Sequence, residues 1–213
     1  MVAIEAPTLG RAWLAVTRRI LEDGAVAAYD GAVTRELAHV SVAIAEPDPG
    51  DGLIDSLGDP EWSAWMRRNF AADVLVSELG GARSYGARLR DHEGSGRDQV
   101  HWVIERLRAD PETRRAAITT FEPATDSSYI PCISLLDFWL RGPGVELVVY
   151  AHSLDFGKKA YGNLVELARL QREVADGVGA AVGGLLVHAK SAHVYEPAWA
   201  LMEQLLTASA APA

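Results

Sequence analysis

Pro131-Cys132-Ile133-Ser134-Leu135-Leu136-Asp137-Phe138-Trp139-Leu140-Arg141, then Gly142-Pro143-Gly144, then Val145 to Tyr150 and Ala151-His152-Ser153-Leu154-Asp155, is the stretch from which the fold is read. Two β-rich apolar runs flank a cluster of breakers, so the spacing predicts two strands joined in a hairpin. A hairpin sets Cys132 at the far end of one strand and His152 and Ser153 at the far end of the other, as neighbours. A thiol beside an imidazole and a hydroxyl suits a nucleophile or an anion site. A free cysteine is also a small hydrophobe that fills core space, and the local residues leave both readings open.

Downstream, Ala160, Leu164, Leu167, Ala168, Gln171, Val174 and Val178 recur at helical spacing, and Gly177 and Gly179 mark the end of a long, largely buried helix. Asn163 lies on its apolar face, where a buried amide needs partners. Strands are predicted over Gly183 to Val187 and Ser191 to Tyr195, then a helix over Pro197 to Leu206, with residues 207–213 expected to fray. Upstream, Leu9 to Glu22 reads as a helix and Val33 to Glu46 contains an alternating strand. Pro47 to Pro60, rich in proline, glycine and aspartate, reads as a loop and a candidate lid. Glu61 to Glu78 reads as a helix, and Gly80 to Gly96 as an irregular segment carrying Tyr85 and the basic residues Arg83, Arg88 and Arg90. Arg97 to Ala109 is an amphipathic helix, stopped by Asp110-Pro111, and Ala116 to Phe121 a strand. Helices separating several strands predict an α+β (α/β two-layer) fold, residues 1–213 forming a single domain.

The composition narrows the partners. At 49% hydrophobic and 23% charged, the 213-residue chain can bury a real core. A net charge of −9 argues against nucleic acid, and an anionic ligand would need a local group of arginines. One cysteine forbids an internal disulfide and fits a reducing compartment. No export signal and no apolar run near 18 residues is read, so the expectation is a cytoplasmic protein with no membrane span. The six histidines are scattered, and no metal-ligand spacing occurs.

Four blocks carry a resemblance. Gly96-Arg97-Asp98-Gln99 with Asp110-Pro111-Glu112-Thr113-Arg114-Arg115 looks like a DQL…DPxSRR pattern, Pro131-Cys132 like a PC nucleophile, Ser153-x-Asp155 with Asn163 like RSxD…N, and His193-Val194-Tyr195 like HxY. In this order and spacing they resemble the thymidylate synthase family, most closely its short archaeal-type members and the related pyrimidine-nucleotide hydroxymethylases. The resemblance runs from Arg97 to Tyr195 and implies a mixed β-sheet flanked by helices. It implies that Cys132 adds to carbon 6 of a pyrimidine nucleoside 5'-monophosphate, making carbon 5 nucleophilic toward 5,10-methylenetetrahydrofolate. Asn163 would hold the N3/O4 edge of the base and Tyr85 would join the proton-handling network. Arg114 and Arg115 would bind phosphate across a homodimer with shared sites, and Ser153 would add a hydroxyl. His193 and Tyr195 would contact the sugar, and Asp155 the pterin.

The departures shape the expected product. His152 stands where the family has an arginine, so phosphate affinity is expected to fall between about pH 6 and 8 as an imidazolium loses its charge. Ile133 and Asp137 replace a histidine and a glutamine, and a carboxylate at Asp137 alters which substrate edge can be bound. The family's proton-transfer acid has only Glu78 and Glu36 as candidates. These changes place hydroxymethylation ahead of methylation. A degenerate nucleotide-binding protein, and an enzyme using the same cysteine addition for other carbon-5 chemistry, are the alternatives.

Overall fold

A computed structural model describes residues 1–29, 31–71, 75–77, 80–126 and 129–210. Its centre is a long strand, β10 (Ala181–Tyr195), and every other part of the sheet is placed by reference to it. On one side β10 runs antiparallel to β3 (Ala32–Glu46), which pairs in parallel with β1 (Val2–Thr8) and antiparallel with β2 (Ala25–Tyr29). On the other side β10 is parallel first to β8 (Gly144–Ala151) and then to β9 (Leu154–Asp155). The hairpin partner of β8 is β7 (Ile133–Arg141), with β6 (Ala117–Thr119) at the edge. The sheet is mixed, and the α+β reading with flanking helices holds.

Side chains alternate along the regular stretches of these strands, because successive strand residues face opposite ways. Leu136, Phe138, Leu147, Val149, Leu185, Val187, Val40 and Val42 point to one face and are buried. That face is covered by α1 (Leu9–Asp23) and α6 (Ala160–Val178), with α5 (Gln99–Ala109) and α3 (Pro60–Ala71) packed on α6. Leu135, Trp139, Val148, Tyr150 and Leu186 point to the other face, and all five are exposed.

Where β10 passes β8 the backbones come very close. A Cβ on Gly144 would stand 3.1 Å from the Gly183 Cα, and the register shifts between Val182 and Leu185. The Gln171 amide of α6 caps this irregularity by donating to the carbonyl oxygens of Val145, Gly183 and Gly184 at 2.8, 3.0 and 3.0 Å.

Several boundaries differ from the sequence reading. Residues 47–60 are no free loop. Asp51 accepts from Leu53 and Ile54 N–H to cap a short helix, α2 (Gly52–Leu57), and from Gly10 N–H at 2.9 Å, which ties the segment to α1. The helix expected to reach Glu78 ends at Ala71; β4 (Leu75–Val76) follows and pairs with β5 (Ala82–Arg83), while Glu78 lies outside the described residues. The irregular stretch holds a helix, α4 (Tyr85–Arg90). The two C-terminal strands are one, and α7 (Trp199–Ala210) makes residues 207–210 helical.

Candidate active site

The hairpin brings its two ends together. His152 N–H donates to the Cys132 carbonyl oxygen at 2.9 Å, so Cys132, His152 and Ser153 share one end of β7 and β8. Tyr85, Tyr129, Asp155 and Lys159 all stand close enough to influence the charge of Cys132 or to feel it. Burial pushes the thiol above its ordinary range; Lys159 pulls it back down and Asp155 pushes it up.

Tyr85 begins α4 and is buried, its ring stacked on Phe70 with centroids 4.6 Å apart. Its backbone N–H donates to Asn69 Oδ1 at 3.1 Å, and its phenol oxygen accepts from Ile133 N–H at 3.1 Å. Burial, and then Cys132, raise the phenol well above the ordinary tyrosine value, so Tyr85 keeps its proton. Tyr129 is raised in the same way by burial and Cys132. Beneath this pair lies an ionic layer. Arg88 donates to both carboxylate oxygens of Asp126 at 2.8 and 2.7 Å and to the carbonyls of Thr120 and Arg83. Arg83 pairs with buried Glu122 at 3.3 Å, and Arg90 with Glu173 at 2.6 Å. All three arginines of this segment are therefore engaged.

On the opposite side, register places Asp155 of β9 directly beside His193 of β10. Asp155 accepts from Gly157 N–H at 2.9 Å. Burial raises the carboxyl, against the pull of His193, and burial lowers the imidazole, against the pull of Asp155 and then Glu36. His193 stands 3.4 Å from Ser191 Oγ and edge-on to Tyr195, with centroids 5.0 Å apart. Glu36 sits opposite His193 across β3 and β10, so its influence falls on that histidine.

One turn after Lys159, α6 carries Asn163, which is 4% exposed. Its Oδ1 has no hydrogen-bond partner among the described residues. A buried acceptor left unmade costs about 1–3 kcal/mol, so Asn163 stands as an unmet polar group on the buried face of α6.

Of the other expected residues, His152 and Ser153 stand at the Cys132 end of the hairpin, whereas Asp137, Arg114 and Arg115 lie farther along it. Ser153 is half-buried next to His152. His152 follows Tyr150 on the open side of the sheet; burial and then Lys190 hold its imidazole below the ordinary value, so it is neutral at pH 7. Asp137 alternates with Leu135 and Trp139 on the same open face, and burial raises its carboxyl. Arg114 and Arg115 are exposed, and neither side chain has a hydrogen bond or ion pair among the described residues. Ala116 is bonded across to Phe138, which puts Arg115 level with Trp139. At about 3.3 Å per residue along β7, that is about 20 Å from the Cys132 end.

Lys159 and Tyr129 are the neighbours of Cys132 that sequence reasoning missed. Tyr129 stands three residues before the cysteine. Lys159 had one available signal, a Lys158-Lys159 pair just before an apolar helix, where the helix dipole disfavours cations. Among the described residues no group of three or more His, Cys, Asp or Glu side chains could hold a metal, and no helix is long and apolar enough to cross a membrane.

Fold and site together define an α/β protein with a thiol at a strand end, near two phenols, an aspartate paired with a histidine, and a lysine. The family model for thymidylate synthase matches residues 51–213, and the chain belongs to the thymidylate synthase family. A Methanothermobacter marburgensis protein named "Putative thymidylate synthase" is 33% identical over 209 residues, covering 91% of this chain and 92% of that protein. A protein of the same name from Methanococcoides burtonii is 31% identical over 211 residues, 95% and 94% of the two chains. The "Deoxyuridylate hydroxymethyltransferase" of Bacillus phage SP01 is 33% identical over 125 residues, 52% of this chain and 33% of that protein.

Proposed function

We propose that the protein transfers a one-carbon unit from 5,10-methylenetetrahydrofolate to carbon 5 of a pyrimidine nucleoside 5'-monophosphate through a covalent Cys132 adduct, with hydroxymethylation ahead of methylation. The observation that carries this reading is the gathering of Tyr85, Tyr129 and Asp155 around a single thiol. Asn163 Oδ1, buried on α6 with no hydrogen-bond partner among the described residues, supports it.

The Cys132 thiolate gives its electron pair to carbon 6, and the C5=C6 pair moves toward the carbonyl at carbon 4. Asn163 holds the N3/O4 edge where that charge collects; its Oδ1 accepts from an N3–H, which favours uracil-type bases. Carbon 5 then bonds the one-carbon unit and loses its proton; loss of tetrahydrofolate leaves an exocyclic methylene, water adds there to supply the hydroxyl, and departure of the sulfur restores the ring. Tyr85, kept protonated, donates hydrogen bonds within this proton network. Asp155 fits the folate, because a buried carboxyl near the thiol suits the N–H groups of a pterin. Bound methylenetetrahydrofolate supplies the one-carbon unit and, for methylation alone, a hydride. His193 and Tyr195 lie beside Asp155 and suit the sugar hydroxyl. The phage relative's name favours hydroxymethylation, as does a neutral His152 in place of a fixed cation.

The phosphate is assigned to Ser153 and to Arg114 and Arg115 of a second copy. About 20 Å from their own Cys132 and unpaired among the described residues, these arginines are better placed to serve a partner than their own site. The open sheet face offers Leu135, Trp139, Val148, Tyr150 and Leu186 as the surface for a homodimer.

Incubation with dUMP or dCMP and 13C-labelled methylenetetrahydrofolate, followed by mass spectrometry of the nucleotide, tests the reading. A labelled hydroxymethyl product without dihydrofolate absorbance is expected. A methyl product with equimolar dihydrofolate would reverse the order of the two reactions, and an unlabelled nucleotide with either base would remove the proposed activity.

A further inference from the structure

Lys159 immediately precedes α6 and makes no side-chain capping bond. A cation there meets the positive end of the helix dipole, a placement that needs some other reason. Its backbone is pinned: Lys159 N–H donates to the Asp155 carbonyl, and Asn163 N–H to the Lys159 carbonyl, both at 3.0 Å. Its ammonium is held 4.9 Å from the Trp65 ring centroid and 5.3 Å from that of Trp62, so the two indoles of α3 restrain it. Lys159 is half-buried, whereas Lys158 is exposed.

Backbone bonds bring Lys159 to the Cys132 end of the hairpin, since His152 N–H meets the Cys132 carbonyl and, three residues on, the Asp155 carbonyl meets Lys159 N–H. The groups that act on Cys132 or feel its charge come from four segments: Tyr85 from α4, Tyr129 from the loop before β7, Asp155 from β9 and Lys159 at the start of α6. The two phenols are neutral and the aspartate opposes a thiolate. His152, bonded to Cys132 only through its backbone N–H, faces Lys190 instead. Lys159 is the cation in this set.

We propose that Lys159 is the cation against which the Cys132 thiolate forms: the thiol proton leaves to solvent, and the ammonium steadied by Trp62 and Trp65 stays beside the sulfur's negative charge. Lys159 thereby takes up the electrostatic task that a neutral imidazole at position 152 cannot perform. This role rests on Cys132 being the nucleophile of the proposed reaction, but its test needs no turnover.

Cys132 is the only cysteine, so the pH dependence of iodoacetamide alkylation of the whole protein reads its ionisation directly. Lys159→Met should move the alkylation midpoint upward and slow the reaction at pH 8 by about threefold or more. Lys159→Arg should restore the wild-type profile, and Lys158→Met should leave it unchanged. Melting followed by circular dichroism checks the fold, and Lys159→Gln takes the place of the methionine variant if that one does not fold. An unshifted midpoint in Lys159→Met or Lys159→Gln overturns the proposal, as does an equal shift in Lys158→Met. A shifted midpoint in a protein that forms no nucleotide adduct would leave the Lys159 role standing and remove the reaction instead.

Discussion

At the scale of single residues, the motif positions were legible because each carries its chemistry in its type. A lone cysteine after proline, an amide on an apolar helix face and an aspartate two residues past a serine are visible without coordinates. What surrounds them was not, since Lys159 and Tyr129 reach Cys132 through tertiary packing. His152 shows the difference. From sequence, its charge was expected to fade between about pH 6 and 8. Burial and then Lys190 push its pKa below the ordinary value of 6.5, so the charge fades at lower pH than a free imidazole's would. Affinity for a nucleoside monophosphate should therefore rise on acidification at a lower pH than a free imidazole would give, and His152→Arg should bind it more tightly near pH 7. Titration calorimetry against the uncharged nucleoside separates this from the titration of phosphate itself. Equal monophosphate affinity in wild type and His152→Arg would place His152 away from the phosphate.

At the scale of elements, the hairpin, α1, α5 and α6 follow from periodicity, because each buries a continuous apolar stripe. Strand β10 was read as two because His188 and Lys190 interrupt its apolar run. Both lie on the open face of the alternation, and the strand exchanges β8 for β9 there without stopping. Helix α2 hid among prolines and glycines, although Asp51 before Leu53 and Ile54 is an N-cap signal. The Gln171 amide that satisfies three carbonyls had no sequence signal beyond a polar residue on a buried face. Gln171→Leu leaves those carbonyls unmatched where β8 and β10 cross. It should lower stability by about 1–3 kcal/mol in urea unfolding, with little change in nucleotide affinity. A variant as stable as wild type would mean the crossing is held by backbone pairing alone.

For the whole molecule, the open sheet face was partly legible. Leu135-Leu136 and Val145-Glu146-Leu147-Val148-Val149 are apolar at outward as well as inward positions, the mark of strands covered on both sides. Trp139→Glu should shift sedimentation toward a monomer and remove activity. Mixing Arg114→Ala/Arg115→Ala with Cys132→Ser should rebuild complete sites and recover part of the activity. No recovery after confirmed subunit exchange would oppose a shared site. Stability should fall in acid. Hydrogen-bond donors hold Asp51 and Asp126 below the ordinary carboxyl value despite burial, so their contribution is full above the unfolded value near 3.8 and lost as pH drops through the folded values. Asp126→Asn should weaken that acid dependence in urea midpoints measured from pH 6 to 3; an unchanged slope would count against it.

The covalent step is tested most directly by the mass of the intact protein after incubation with a 5-fluoropyrimidine nucleoside monophosphate and methylenetetrahydrofolate. Fluorine at carbon 5 blocks the proton loss that would release the sulfur, so the adduct should persist at one nucleotide and one folate per chain, and Cys132→Ser should give none. A protein that turns over its natural substrate yet keeps its unmodified mass, or an adduct that survives Cys132→Ser, would contradict the account.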